Sequence, residues 1–386
     1  MKNNSIIYKL IGVFALLTVV TSALFFAKIP NNNIACAENL PVTSAQAMCL
    51  MEVNSKRVLL EKDSQIKLPE ASLTKIITAI VVIENNPDLD KLVEIKKEAT
   101  KIEGSSIYLT EGEHLTIREL LYGLMLRSGN DAAVALAIET SGSVDEFIKL
   151  ANAFCKEIGA NNTNLVTPHG LHDDEHYTTA YDLALISSYA LKNETFKEIV
   201  GTKQIKINNE SKGGQRVLKN KNKLLTNLKS ATGVKTGYTK KAGRCFIGSA
   251  EKDDMEVVCV LLNCGPMFEE CQTLLEYALN NYTMVELIEP YQTKEIHVIN
   301  SSDNFVQVYS REGFSYPLTQ GELTNIHYED NLPNNITAPV NKNEKIGEIN
   351  VLLENDLLFS SKFYTMNSVE SNDYLSKLEK IINGLA

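Results

Sequence analysis

The chain has 386 residues, of which 44% are hydrophobic and 22% are charged. This length exceeds that of one typical compact domain and the apolar content can fill a core, so the sequence predicts two folded units and excludes a disordered chain. The formal net charge of −10, with no run of basic residues, excludes a nucleic-acid-binding protein. The six histidines show no metal-ligand spacing, which favours a mechanism without a metal or another cofactor.

The N-terminal segment has the pattern of a secretory signal. Lys2 and Lys9 accompany an almost wholly apolar run, residues 10–26, and small residues follow at Ala35 and Ala37. This pattern predicts export and cleavage after Ala37. An uncleaved membrane anchor is an alternative, although the run is at the lower edge of a spanning length. A lipoprotein signal is a weaker alternative. All three place the protein outside the cytoplasm, in the cell envelope or at the outer face of the cytoplasmic membrane.

Hydrophobic periodicity then predicts a β-hairpin over residues 45–62, followed by a series of helices. The predicted helices are Leu73–Glu84, one that starts near Thr116, Asp131–Thr140, one that ends at Gly159, one capped near Thr179, and residues 269–282. The run that begins at Gly233 indicates two antiparallel strands joined by a turn at 252–254. Strands on both sides of the helices predict an α+β domain with a mainly antiparallel sheet.

Beyond Pro290 the sequence consists of short alternating runs, which are typical of β-strands. The predicted domain limits are a signal peptide at 1–37, a catalytic domain at 38–288, a C-terminal β-sandwich at 289–366 and an amphipathic helix at 367–386. That helix could dock on its own domain or lie on a membrane surface. The sequence does not choose between two roles for the β domain: a spacer from the membrane or a partner-binding unit.

The chain has seven cysteines, and removal of the signal would leave six. Export permits disulfides, but the spacing is irregular, and Cys245, Cys259 and Cys264 lie in or beside apolar runs that resemble strands. We therefore expect small buried hydrophobic residues rather than a disulfide framework.

The motif S-x-x-K occurs three times, beginning at Ser64, Ser72 and Ser249. Only Ser72 opens a helical run, in which residues three apart share one face, so the Lys75 amine can approach the Ser72 hydroxyl. A lysine with an ordinary pKa is protonated at neutrality, but apolar neighbours would lower that pKa and let the amine act as the base that a serine nucleophile needs. The alternative is a serine that caps the helix and a lysine whose stem lies along it.

Two further tripeptides support the catalytic interpretation. Ser128 to Asn130 form a tight bend with a hydroxyl and an amide, able to relay a proton and to hold a substrate amide. Lys235 to Gly237 open a strand with a cation, a hydroxyl and a glycine, which lets a substrate backbone pair closely along the strand edge. Each alone is an ordinary turn or strand start, but their joint occurrence in this order is hard to dismiss.

With these motifs the sequence resembles the low-molecular-mass penicillin-binding proteins, which are serine D-alanyl-D-alanine carboxypeptidases. S-x-x-K, S-D-N and K-T-G are known signatures of penicillin-binding proteins and class A β-lactamases, and here the middle motif is S-G-N, as these carboxypeptidases have it. The resemblance extends to "PEASLTKIITA", "PHGLHDDEHYTTAYDLALI", "GVKTGYTKKAG" and "APVNKNEKIGEINVLLEND". It implies a β-lactamase-like catalytic domain, with helices on a mainly antiparallel sheet, followed by a small all-β domain.

The resemblance also implies the catalytic roles. Ser72 would attack the carbonyl between the two terminal D-alanines of a peptidoglycan stem peptide, with Lys75 taking its proton and Ser128 passing a proton to the leaving D-alanine. Water would then hydrolyse the acyl-enzyme. No cofactor is implied, and β-lactam antibiotics would acylate the same serine. A membrane surface is a further implied partner, through the C-terminal helix or an uncleaved N-terminus.

The substrate-binding roles follow in the same way. Asn130 would hold the substrate, and the backbone N–H groups of Ser72 and Tyr238 would form the oxyanion hole. Lys235 and Thr236 would receive the terminal carboxylate, next to Gly237 on the same strand. Some members use an arginine upstream of K-T-G for that carboxylate, and Lys221 stands near the corresponding place, although a lysine lacks the bidentate fork.

Two other functions fit parts of the pattern. A β-lactamase would share the acylation machinery but needs a deacylating glutamate in an E-x-x-L-N pattern, and the surroundings of Glu175 do not match it. A catalytically silent binding scaffold would have no need of all the motif residues. His169 and His176 suggest a Ser-His triad, but because Lys75 already fills the role of the base, we expect them to shape the loop beside the site.

Overall fold

The computed structural model describes residues 40–209 and 213–372 together with Ile382. The predicted signal segment, including Cys36, lies outside the described residues. The strands of the first domain are β1 Ala47–Glu52, β2 Val58–Lys62, β3 Leu92–Glu94, β4 His114–Thr116, β5 Gln204–Asn209, β6 Gly214–Lys219, β7 Ala231–Thr239, β8 Gly243–Lys252 and β9 Met255–Leu262. Its helices are α1 Lys75–Asn85, α2 Ile117–Leu126, α3 Asn130–Ser141, α4 Val144–Glu157, α5 Ala180–Leu191, α6 Glu194–Gly201, α7 Leu224–Asn227 and α8 Met267–Asn281.

A five-stranded antiparallel sheet forms the centre of this domain, with the strand order β2-β1-β9-β8-β7. The predicted first hairpin and the turn at 252–254 are confirmed. The prediction of two strands after Gly233 is wrong, because the run contains three strands. A polar turn separates β7 from β8, and Gly243 provides its left-handed backbone with a φ of 68°.

Apolar helices cover both faces of the sheet. On one face α1 lies at the centre of the helical layer, and its residues from Lys75 to Val82 are all buried. On the other face α8 packs against β8 and β9 through Leu274, Leu275 and Ala278. The central burial predicted for the first helix is confirmed, since an apolar helix surface of this width is stable only inside a protein.

The second domain is all-β, as predicted. Its strands are β10 Thr283–Ile288, β11 Thr293–Ile299, β12 Phe305–Ser310, β13 Phe314–Leu318, β14 Ile326–Asp330, β15 Asn335–Thr337, β16 Lys345–Leu353 and β17 Asp356–Thr365, with the short helix α9 Gln320–Leu323. Six strands form one sheet in the order β14-β16-β17-β12-β11-β15, and β10 pairs with β13. Phe314 of β13 stacks on Phe359 of β17 with 4.5 Å between ring centroids, so the two sheets share one core.

Arg57, beside the first hairpin turn, joins the two domains. Its guanidinium donates to the carbonyl oxygen of Pro317 at 2.5 Å and forms a salt bridge with Glu322. It also lies over the rings of Tyr282 and Tyr316, at 5.4 and 5.1 Å from their centroids. Because the guanidinium makes hydrogen bonds, a salt bridge and cation–π contacts at once, it contributes to the contact between the two domains.

Two further predictions concern the C-terminal segment and the cysteines. Residues 367–372 form bends and isolated bridges, such as Val340 with Val369, so the predicted helix does not begin at 367; its remainder lies almost entirely outside the described residues. The six described cysteines are all unpaired and buried, which agrees with the prediction of small apolar residues. In the described parts of the chain, no helix combines the length and apolar content that crossing a bilayer requires.

Candidate active site

Ser72 and Lys75 meet at the N-terminal end of the central helix. A short 3-10 turn, Ala71–Thr74, precedes α1, and it presents the Ser72 hydroxyl 3.0 Å from the Lys75 Nζ atom. Ala71 has a φ of 52°, in the left-handed region that non-glycine residues rarely adopt. The predicted contact between the serine and the lysine is therefore present, on a turn that the surrounding structure holds in a strained conformation.

Lys75 is fully buried, and its amine has two other partners. Its Nζ atom lies 2.7 Å from Asn130 Oδ1 and 2.6 Å from the carbonyl oxygen of His169. Burial, followed by the neighbouring charges of Lys235 and Lys221, holds the pKa of Lys75 well below its ordinary value. A neutral amine has two protons and one lone pair, so it can donate to both oxygens and direct its lone pair at the Ser72 hydroxyl. This geometry suits a general base.

The bend between α2 and α3 places Ser128 and Asn130 on the opposite wall. Ser128 has a φ of 62°, and Gly129 donates its backbone N–H to the carbonyl of Gly123. Asn130 is the first residue of α3 rather than part of the loop, so the helix fixes the direction of its amide. The prediction of a tight bend is confirmed, and the two side chains reach the site from a rigid turn.

A buried carboxylate next to this bend organises the loop that faces the site. Asp131 accepts backbone hydrogen bonds from Ile107 and Leu109 at 3.1 Å and a hydroxyl bond from Ser106 at 2.5 Å. Asn130 adds a backbone bond to the carbonyl of Ser105 at 2.7 Å. The start of α3 therefore positions both its own amide and the 105–109 loop across from Ser72.

The K-T-G segment lies on β7, the edge strand of the sheet. Lys235 is 2% exposed, and its Nζ atom donates to the carbonyl of Thr236 at 2.8 Å. Burial, and then the charge of Lys221, lower its pKa to about 7. A Cβ atom on Gly237 would lie 3.1 Å from the carbonyl oxygen of Glu70 and 3.2 Å from the backbone nitrogen of Ser72. The glycine thus lets β7 pack against the turn that carries Ser72.

These elements enclose a cleft of about 560 Å³. The residues that line it are Ser72, Ser105, Ser128, Lys221, Thr236, Gly237, Tyr238, Arg244, Met267 and Phe268. Six of the predicted site residues are among them, and Lys75, Asn130 and Lys235 are buried next to this wall. The structure therefore brings together all nine predicted site residues.

Lys221 lines the cleft, near the place that the resemblance implied for it. Its Nζ atom lies 3.1 Å from the Ser105 hydroxyl, and its backbone N–H donates to the carbonyl of Leu126. Burial, followed by the charge of Arg127, lowers the pKa of Lys221. Its charge also acts on Lys75 and Lys235, so the three lysines form one electrostatic group.

The histidines support the site from behind. His176 Nε2 lies 3.0 Å from Glu70 Oε1 and 2.9 Å from the Thr74 hydroxyl, while its Nδ1 accepts the backbone N–H of Val166 at 3.0 Å. Because Nδ1 is an acceptor, the ring proton is on Nε2 and is donated to Glu70. Neither His176 nor His169 lines the cleft beside Ser72. The expectation that they shape the loop fits this geometry.

Gly170, in the same loop, lies directly against the Ala71–Thr74 turn that carries Ser72. Gly170→Ala should destabilise the protein more than Gly142→Ala, although both glycines have left-handed φ angles, 81° and 78°, which cost an alanine about 1–2 kcal/mol. A Cβ on Gly142 meets nothing within 4 Å, whereas one on Gly170 would lie 1.9 Å from the Ala71 carbonyl oxygen. We expect about 1–3 kcal/mol of further destabilisation in thermal unfolding. Equal melting temperatures would show that this loop does not brace the Ser72 turn.

Four residues that line the cleft were not predicted from the sequence: Ser105, Arg244, Met267 and Phe268. Arg244 is the cross-strand partner of Tyr238, so recognising β8 as a separate strand would have identified it. Ser105 and the two α8 residues come from segments with no local signal of function. Among the described residues, no group of three or more His, Cys, Asp or Glu side chains is arranged to hold a metal ion.

The sequence matches two family models. Residues 34–265 match the peptidase S11 model, described as D-alanyl-D-alanine carboxypeptidase, and residues 282–371 match the C-terminal domain of penicillin-binding protein 5. The D-alanyl-D-alanine carboxypeptidase DacF of Bacillus subtilis is 30% identical over 345 residues, which cover 87% of this chain and 88% of DacF. DacC of Escherichia coli is 30% identical over 357 residues, covering 88% and 87% of the two chains.

Comparison with solved structures gives the same result. The crystal structure of penicillin-binding protein 5 from Haemophilus influenzae superposes with a TM-score of 0.75 at 26% identity, covering 87% of this chain and 100% of that one. The turn that carries Ser72, the S-G-N bend and the K-T-G strand lie around one cleft, as in a serine acyl-transfer enzyme. The chain belongs to the peptidase S11 family of D-alanyl-D-alanine carboxypeptidases.

Proposed function

We propose that the protein is a serine D-alanyl-D-alanine carboxypeptidase that removes the terminal D-alanine of peptidoglycan stem pentapeptides, with Ser72 as the nucleophile. The observation that carries the proposal is the contact of 3.0 Å between the Ser72 hydroxyl and the fully buried Lys75 amine, at the wall of the cleft. The family relationship supports this function and gives no support to a β-lactamase or a silent scaffold. β-Lactams are expected to acylate the same serine.

Acylation uses the groups that meet at the start of α1. Lys75 takes the hydroxyl proton as Ser72 Oγ attacks the carbonyl carbon of the scissile bond, and the backbone N–H groups of Ser72 and Tyr238 stabilise the developing oxyanion. The close packing of Gly237 against Ser72 N supports this pair, since it brings the two backbones together. Fixed donors of this kind are worth about 10²- to 10³-fold in rate each.

Departure of the product needs a proton at the leaving nitrogen. Ser128 lines the cleft opposite Ser72 and passes the proton to the amine of the leaving D-alanine. Asn130, fixed by its contact with Lys75, holds the substrate amide. After D-alanine leaves, water attacks the ester at Ser72, with Lys75 again accepting a proton, and the shortened peptide is released.

The terminal carboxylate binds between β7 and the Lys221 side chain. Lys235 supplies the charge and Thr236 a hydroxyl that lines the cleft, while Lys221 adds a second cation across from Ser105. A free carboxylate at this end distinguishes a substrate terminus from an internal peptide bond. The site therefore favours cleavage of the last residue.

The two buried lysines predict the pH dependence of kcat/KM. Lys75 must be neutral, so activity should rise with pH through its lowered pKa; Lys235 must be charged, so activity should fall as pH increases above about 7. Lys235→Arg retains a cation that does not deprotonate, and the alkaline limb should move upward in this variant. An alkaline limb at the same pH in both proteins would assign it to another group.

The direct test of the function is release of D-alanine from a pentapeptide that ends in D-Ala-D-Ala. The purified, folded protein should release one D-alanine per peptide and stop at the tetrapeptide. An otherwise identical peptide ending in D-Ala-L-Ala is the matched control and should be stable. If the folded protein released no D-alanine, the proposed function would be wrong.

We further propose that the protein acts outside the cytoplasmic membrane, exported through its N-terminal segment and cleaved after Ala37. The pattern of Lys2, Lys9 and the apolar residues 10–26 supports export, and so does the location of the peptidoglycan substrate. The C-terminal segment, with apolar residues at Leu375, Leu378 and Ile382, is proposed to dock on its own domain or to contact the membrane surface. Fractionation of cells into membrane and soluble envelope material tests both points.

A further inference from the structure

A second cleft lies beside the active-site cleft and shares part of its wall. Its volume is about 580 Å³, and Arg244, Met267 and Phe268 line both clefts. Lys223 and Glu269 are among the residues that line only the second. The catalytic steps described above use none of these five side chains, so their arrangement needs a separate explanation.

The proposed substrate orientation determines which part of the peptide faces this second cleft. In this orientation the terminal carboxylate lies at Lys235 and Thr236, and the scissile carbonyl lies at Tyr238. The peptide is therefore antiparallel to β7, and its earlier residues continue toward the C-terminal end of that strand. An extended chain advances roughly 3.3 Å per residue, so the residues before the scissile bond lie beyond Tyr238. Arg244, the cross-strand partner of Tyr238, also lines the active-site cleft, and this places it within reach of side chains of those residues.

The charges in this region are available for a ligand. Arg244 donates to the carbonyl of Gly265 at 3.2 Å, and within the described part of the chain neither Arg244 nor Lys223 forms a salt bridge. Glu269 is the single carboxylate among the described wall residues, against two cations. Since the whole chain has a net charge of −10, an unneutralised pair of cations here favours an anionic group.

We propose that Arg244, together with Lys223, binds a carboxylate at the end of the side chain of the residue that precedes D-Ala-D-Ala. The inference rests on the proposed function, because the orientation of the peptide comes from it. Met267 and Phe268, both half-buried, cover the aliphatic part of that side chain. A guanidinium can give a carboxylate two parallel hydrogen bonds, which makes Arg244 the principal contact. Arg244 touches no reacting atom, so it determines specificity rather than chemistry.

The test uses two pentapeptides that differ in one group. In one peptide the third side chain ends in a free carboxylate, and in the other this group is the corresponding carboxamide. An exposed ion pair contributes little free energy, so the wild-type kcat/KM should be about twofold to fivefold higher for the carboxylate peptide. In Arg244→Gln the ratio of the two kcat/KM values should fall to about one. Lys240→Gln removes a charge on the same hairpin outside both clefts, and this control should keep the wild-type ratio.

The possible results separate the subsite from the proposed function. If the wild type hydrolyses both peptides equally, or if Arg244→Gln keeps the preference, the subsite is wrong and the carboxypeptidase function stands. Failure of the folded wild type to hydrolyse either peptide would overturn the proposed function, and the subsite with it.

Discussion

Ser72→Ala should abolish the release of D-alanine, with kcat/KM reduced by about 10⁴-fold or more. The acyl-enzyme is proposed to form on this hydroxyl, and no other serine of the three S-x-x-K motifs lines the cleft. The substituted side chain is small and partly exposed, so removal of one oxygen should leave the melting temperature within a few degrees of the wild type. Release of D-alanine and thermal unfolding, measured on the same preparation, check both statements.

Ser64→Ala is the matched control for this variant. Ser64 also begins an S-x-x-K motif, but its hydroxyl donates to Glu61 at 2.5 Å and does not line the cleft. Activity per folded molecule should equal that of the wild type. If Ser72→Ala retained more than a hundredth of the activity while Ser64→Ala lost it, the nucleophile would have been assigned to the wrong motif.

Lys75→Arg should reduce the rate of acylation by about 10³-fold, within the range of 10² to 10⁴ that general-base catalysis contributes. The arginine keeps several donors for Asn130 and the His169 carbonyl, but it stays protonated near neutral pH and cannot accept the serine proton. The loss would therefore report the missing base rather than missing hydrogen-bond donors. Stopped-flow acylation by a chromogenic β-lactam measures this step apart from deacylation.

The buried position requires a second variant, because an arginine is larger than the lysine it replaces. Lys75→Met has nearly the same length and no charge, so a comparable loss of acylation in this variant excludes crowding as the cause. Thermal unfolding of both variants shows whether the site is still folded. Acylation within tenfold of the wild-type rate in folded Lys75→Arg would mean that another group is the base.

The local motifs could be predicted from the sequence because each depends on neighbouring residues. The spacing of Ser72 and Lys75 on a helical turn requires only the 3.6-residue period, and the bend at Ser128 follows from the end of one apolar helix and the start of the next. The first hairpin has the same local character. These features therefore appear in the structure where the pattern indicated them.

Contacts between distant segments could not be predicted in this way. The pattern after Gly233 predicts two strands, whereas the structure has three, so the pairing of Tyr238 with Arg244 does not follow from the sequence. The role of Gly237 could not be predicted for the same reason. Its missing Cβ makes room for the backbone nitrogen of Ser72, which is far away in the sequence. Only the fold brings such pairs together.

The contacts of His176 with the residues around Ser72 are another non-local feature. His176 reaches Glu70 and Thr74 across about a hundred residues of chain, with separations of 106 and 102 residues. The sequence predicts only that this histidine belongs to the loop beside the site. Its buried partners explain how the turn before α1 can hold an unfavourable backbone angle at Ala71.

The central claim is that Ser72 forms a long-lived acyl-enzyme, and the mass of the intact protein after addition of benzylpenicillin tests it most directly. We expect one drug mass on the wild-type protein that persists for minutes or longer, mapped to the peptide that contains Ser72, and no adduct on Ser72→Ala. An adduct that disappears within seconds would indicate a β-lactamase. The absence of any adduct on the folded wild-type protein would contradict the account.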